Sequence, residues 1–201
     1  MKSKKDQYIL TFAITFEILL LITAIVNLIN GIKRNCYISL ISILCVPFPF
    51  ILNRLADKKS ITLPPRFKAI TLLFIFGTQY LGELVGFYFT LWWWDLLLHA
   101  FAGFYGVIIG AFLIESVIYH ENQNSSKRHT LFLGILAFSF STTMSTLWEI
   151  FEYIADTMLK TNMLQEGFRD TFQDLLAGEI FALVGAIIIY LKLKFKNSSS
   201  L

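Results

Sequence analysis

The hydrophobic positions of this chain fall into six long runs, residues 8–30, 36–53, 69–90, 93–118, 130–153 and 172–191, with polar residues gathered in short stretches between them. A helix takes roughly 20 residues to cross a hydrocarbon core of about 30 Å, and each run comes close to that length. The pattern predicts an all-α, polytopic integral membrane bundle of about six transmembrane helices, read as a single membrane domain over residues 1–201. In the second run, Pro47 and Pro49 remove backbone donors and predict a kink or break. The first run follows Lys2, Lys4 and Lys5 as a signal peptide would. It is longer than a signal core of roughly 7–15 residues and lacks a small-residue cleavage site, so it reads as a retained first helix.

Composition excludes a soluble domain of this size: 56% of the residues are hydrophobic and only 15% are charged. The linker 54–68 contains Pro64-Pro65 and is a basic connection, residues 120–129 form a polar loop, and 197–201 read as a frayed tail. Cys36 and Cys45 lie nine positions apart on one expected helix, near opposite faces, which rules out a disulfide between them. Trp92-Trp93-Trp94 fits an aromatic belt at a membrane surface.

Charge then orients the bundle, because cytoplasmic loops accumulate Lys and Arg. With six crossings, the two ends and the second and fourth loops share one side, which collects thirteen of the seventeen basic residues. Lys33, Arg34, Lys160 and Arg169 remain opposite. The expected localisation is a multi-pass protein of the cell membrane with both termini cytoplasmic.

That orientation gathers the membrane acids on the outer side: Glu83 in the third run, Asp95 at the start of the fourth, Glu149, Glu152 and Asp156 at the end of the fifth, and Asp170 and Asp174 at the start of the sixth. Spacing supports a shared site. Asp95 and His99 are i, i+4, as are Asp170 and Asp174, while Glu149, Glu152 and Asp156 are i, i+3, i+7. The acid stripes continue into small residues, namely Gly103, Gly106 and Gly110 in the fourth run and Gly178 and Gly185 in the sixth. Small residues let membrane helices approach closely, so these glycines are expected at helix contacts. Asp95 and Asp170 also serve as acids at helix N-termini. Glu149, Glu152 and Asp156 sit at a C-terminus, where the dipole disfavours them. Glu17 and Glu179 are lone acids, equally read as single interhelical hydrogen bonds or as functional groups.

Several carboxylates and one imidazole suit a divalent cation, Mg²⁺, Mn²⁺, Ca²⁺ or Zn²⁺. Glu149, Glu152, Asp156, Asp170 and Asp174 are the expected ligands, His99 a ligand or general base, and Asp95 the residue orienting His99. Arg169 and Glu83 complete the site on the substrate side, with Arg169 steadying an anionic head group. The corresponding function is action on a lipid or cell-envelope precursor from within the bilayer, with no nucleic-acid partner. A proton- or cation-coupled transporter is a second reading of the same acids, and a structural membrane protein with the acids as interhelical glue is a third.

Asp95-x-x-x-His99 followed by glycines, Glu149-x-x-Glu152, and Arg169-Asp170 with Asp174 before a Gly-containing apolar helix resemble the layout of the YjdF-like family of bacterial membrane proteins. They are more loosely similar to VanZ-like proteins, associated with resistance to glycopeptide antibiotics of the teicoplanin type. The resemblance covers roughly residues 93–191. Two positions depart from the VanZ-like pattern: Glu152, where Gln is usual, and the neighbourhood of Ala177, where Asn is usual. The YjdF-like resemblance implies a membrane protein and carries no particular activity with it.

Overall fold

The computed structural model describes residues 4–118, 127–159, 163 and 167–198; His120 and most of the polar loop lie outside them. Among these residues the chain is helical throughout, with no strand. Five helical stretches are long and apolar enough to cross a membrane: Lys4–Ile29, Lys33–Lys58, Trp94–Val117, His129–Met158 and Phe168–Phe195. They fall on five of the six sequence windows.

The third window, 69–90, is the exception. There α4 (Phe67–Ile75) runs into a nine-residue π-helix (Phe76–Leu84), and the chain then turns through Gly86 into the short α5 (Phe87–Thr90). Gly86 sits at φ +89, a left-handed conformation that a residue with a Cβ adopts only under strain. Phe67–Leu84 is thus a continuous wound segment, nine residues of α-helix followed by nine of π-helix, rather than one regular α-helix. Apolar content alone marked the window, and it carries no information on where helical winding changes.

Internal contacts divide the chain into two compact units. The first comprises residues 1–60 and 65–94. In it α1 (Lys4–Ile29) turns at Gly31 into α2 (Lys33–Cys45), and α3 (Phe48–Lys58) continues beyond a break at Val46-Pro47, where the prolines required one. Ala13, Phe16 and Leu20 of α1 pack with Val46, Leu72 and Ile75, and the rings of Phe76 and Tyr80 close over Phe16. Two ion pairs brace this unit, Lys68 to Asp6 at 2.7 Å and Arg34 to Glu83 at 2.5 Å.

The second unit comprises residues 61–64 and 95–201. It is built on α6 (Trp94–Ile118), α7 (Lys127–Leu159) and α8 (Phe168–Ser198). The segment 61–64 joins it through the Thr62 N–H, which donates to Ser116 Oγ at 2.9 Å. Its core is small-residue packing: Val107 and Ala111 from α6, Leu133 and Ala137 from α7, Ala182 and Ala186 from α8. The five glycines singled out in the sequence all lie at helix contacts. A Cβ on Gly103 would overlap the backbone of Gly178, one on Gly106 would lie 2.6 Å from Ser141 Oγ, and one on Gly110 would lie 2.9 Å from the Phe140 ring. Gly178 and Gly185 meet Ser145 and Phe104 in turn, at 3.2 and 3.3 Å.

Hydroxyls add specific ties to this packing. Ser141 donates to the Gly103 carbonyl at 2.7 Å, linking α7 to α6, and Thr142 donates to Glu179 Oε2 at 2.6 Å, linking α7 to α8. Glu179 is thus an interhelical hydrogen-bonding partner. At 33 residues, α7 is roughly 50 Å long, well beyond a hydrocarbon core of about 30 Å. Its C-terminal acids therefore stand near one end of the unit, level with the beginnings of α6 and α8.

Candidate functional site

The site is assembled at the N-terminal ends of α6 and α8 and the C-terminal end of α7. Asp95 lies in the first turn of α6 and His99 one turn later, on the same face. Asp174 lies one turn before Gly178 on α8, and His99 one turn before Gly103 on α6. The close approach of Gly103 to Gly178 therefore sets how near His99 and Asp174 stand. One ligand atom each from Asp95, His99 and Asp174 all lie within 4.8 Å of one another, and Asp174 is only 3% exposed.

His99 has a carboxylate on each side. Its Nε2 is 3.5 Å from Asp95 Oδ1, and its Nδ1 is 3.6 Å from Glu149 Oε1. A neutral imidazole has one N–H to give, so it satisfies at most one of these oxygens by donation. Both separations exceed the range of about 2.7–3.2 Å for an N–H···O bond. Only one ring nitrogen can face a given ion, and on the Nε2 side the separation from Asp95 is close to the roughly 3.3 Å that bonds of about 2.0–2.2 Å set between neighbouring donor atoms of a tetrahedral Zn²⁺ site.

Glu149 is the most telling neighbour. It is 5% exposed, and neither of its buried oxygens has a hydrogen-bond partner among the described residues, although the Thr171 hydroxyl lies close by. Buried polar atoms are almost always satisfied, and a proton, a water or a cation at this carboxyl would each do so. The carboxyls of Asp95, Asp170, Glu149 and Glu152 all lie near enough to Asp174 to repel it electrostatically.

The remaining candidates divide. Glu152 is buried and accepts a hydrogen bond from its own helix neighbour, Trp148 Nε1, at 2.8 Å. Asp156 accepts from the Met163 N–H at 2.8 Å and so ties the chain beyond α7 back to that helix. Arg169 is exposed at the start of α8, beside Asp170. Glu83 belongs to the first unit, where Arg34 engages it and also lies over the Phe89 ring. The structure groups the candidate residues as follows. Asp95 and His99 join Asp174 in one triad, Glu149 stands at the far nitrogen of the His99 ring, and Glu152 and Asp156 are turned to hydrogen-bond donors of their own. Trp148 as the partner of Glu152 was not foreseen, although an indole N–H one helical turn before a carboxylate is a signal that sequence carries.

The chain matches, over residues 12–196, the family described as predicted membrane protein (DUF2238), and it belongs to that family, itself YjdF-like. It is similar to an uncharacterized protein of Thermotoga maritima, 27% identical over 146 residues, which cover 72% of this chain and 70% of the relative. No solved structure matches.

Proposed function

We propose that this member of a membrane protein family holds a divalent cation between Asp95, His99 and Asp174 and acts with it on a lipid or cell-envelope precursor at the outer membrane surface. The observation that carries the reading is the arrangement around His99: a triad of donor atoms within 4.8 Å, with both oxygens of Glu149 buried and unpaired beside it. A cation between these groups offsets the mutual repulsion of the carboxyls. One imidazole among carboxylate oxygens suits Mn²⁺ or Zn²⁺ better than Ca²⁺ or Mg²⁺. Bound there, the ion polarises a phosphoryl or ester oxygen and lowers the pKa of a water. Glu149, at the far nitrogen of the ring, then serves as proton acceptor from His99, and Arg169 meets an anionic head group.

Charge within the second unit supports the outward placement. The end carrying the site has Lys160 and Arg169, whereas the opposite end has Lys127, Arg128, Lys192, Lys194 and Lys196. Both termini are then cytoplasmic in the cell membrane, which requires the irregular segment 67–90 to carry the chain across.

The transporter reading ranks second, since the faces inward of the site are occupied by the Gly103–Gly178 and Gly106–Ser141 contacts rather than by a polar path. The structural reading accounts poorly for Glu149, because interhelical glue is hydrogen-bonded. The test is turnover: the purified protein in nanodiscs is incubated with phospholipids and long-chain lipid phosphates under Mn²⁺, Zn²⁺, Mg²⁺ or Ca²⁺ in turn, and products are read by mass spectrometry. Cation-dependent product that is lost in His99→Gln is expected. Cation binding without product from any of these lipids would overturn the enzymatic half of the reading.

A further inference from the structure

The first unit contains a groove of about 290 Å³ between α1 and the broken helix α2–α3, lined by Ala13, Ile14, Glu17, Pro47, Phe50 and Arg54 among others. Its lining is mainly apolar, with Glu17 and Arg54 its two charged residues. Glu17 lies near the middle of the 26-residue α1 and is half-buried; neither it nor Arg54 has a hydrogen-bond or ion-pair partner among the described residues. A carboxyl near the middle of a membrane helix, without a protein partner and facing an apolar groove, is costly unless something else engages it.

The opposite wall tells which sign of charge it favours. Pro47 and Pro49 lack N–H groups, so this wall presents few free donors to an anion. The same prolines strip the start of α3 of donors, and the N–H groups of Phe50 and Ile51 are both spent on the Pro47 carbonyl. The start of α3 therefore loses much of the positive pole that would favour an anion there. Phe50 adds an aromatic ring to the lining, another preference for a cation.

We infer that this groove binds a lipophilic ammonium, an amphiphile whose positive head pairs with Glu17 and whose apolar body fills the space between α1 and α3. Arg54, exposed on the same groove, is a like charge that the ligand tolerates rather than uses. The inference is independent of the cation site of the second unit.

The test uses dodecyltrimethylammonium and, separately, dodecyl phosphate, titrated calorimetrically into the full chain in phosphatidylcholine nanodiscs with empty nanodiscs as background. Saturable binding of the ammonium is expected, weakened about tenfold or more in Glu17→Gln, the scale of one charge-assisted contact, and unchanged or tightened in Arg54→Gln. Ile14→Trp, which fills the groove without touching its charges, is expected to weaken binding with the fold intact by circular dichroism. Absence of saturable ammonium binding, or binding insensitive to both Glu17→Gln and Ile14→Trp, would overturn the inference. Binding of dodecyl phosphate instead, lost in Arg54→Gln and indifferent to Glu17→Gln, would assign the groove to an anionic lipid and overturn it equally.

Discussion

Gly103 of α6 rests directly on the backbone of Gly178 of α8, so closely that neither helix leaves room there for a side chain on Gly103. The contact lies one turn from His99 on one helix and one turn from Asp174 on the other, so it positions the Asp95–His99–Asp174 group as well as the bundle. Gly103→Ala is expected to destabilise by about 1–3 kcal/mol, the usual cost of overpacking, because the obstructing atoms are backbone and cannot rotate away. Thermal unfolding in detergent measures this. The same variant is expected to lose divalent cation affinity, since the helices must separate to admit the methyl.

The two hydroxyl ties on α7 separate the value of a hydrogen bond from the cost of stranding its acceptor. Ser141→Ala removes one interhelical bond, worth about 0.6 kcal/mol on average in membrane proteins, and is expected to shift the melting temperature little. Thr142→Val leaves Glu179 without its donor, and Glu179 Oε1 already has no partner among the described residues. A cost of about 1–3 kcal/mol is expected. Equal melting temperatures for the two variants would contradict this ordering.

Glu83 provides an internal control. Its ion pair with Arg34 is partly exposed on both sides, so Glu83→Gln is expected to cost at most about 1 kcal/mol and to leave metal content unchanged. Metal loss in that variant would contradict this assignment.

The spans and the end of the helices at which the acids gather were legible because both follow from one-dimensional facts: the length of apolar runs, and i, i+4 spacing on a helix. The glycine contacts were legible for the same reason, as small residues repeat along one face. The division of labour among the acids was not. Whether Glu152 turns toward the triad or toward Trp148 depends on a rotamer, and whether Asp156 serves the site or Met163 depends on where the chain goes after α7. Glu83 shows the same limit: its depth in the third window suggested the site, but its partner is set by the packing of α2 against the π-helix. The π-winding over Phe76–Leu84 has no counterpart in hydropathy.

The most direct measurement is elemental analysis of the purified protein, wild type beside Asp174→Asn and Glu149→Gln, with thermal unfolding recorded with and without added Mn²⁺ or Zn²⁺. The predicted result is close to one divalent ion per chain in wild type and a melting temperature raised by that ion. Asp174→Asn should lose the ion and its stabilisation, whereas Glu149→Gln, altered at the far nitrogen of His99, should retain a weakened site. A wild-type protein free of divalent metal, with all three melting curves indifferent to added cation, would contradict the account.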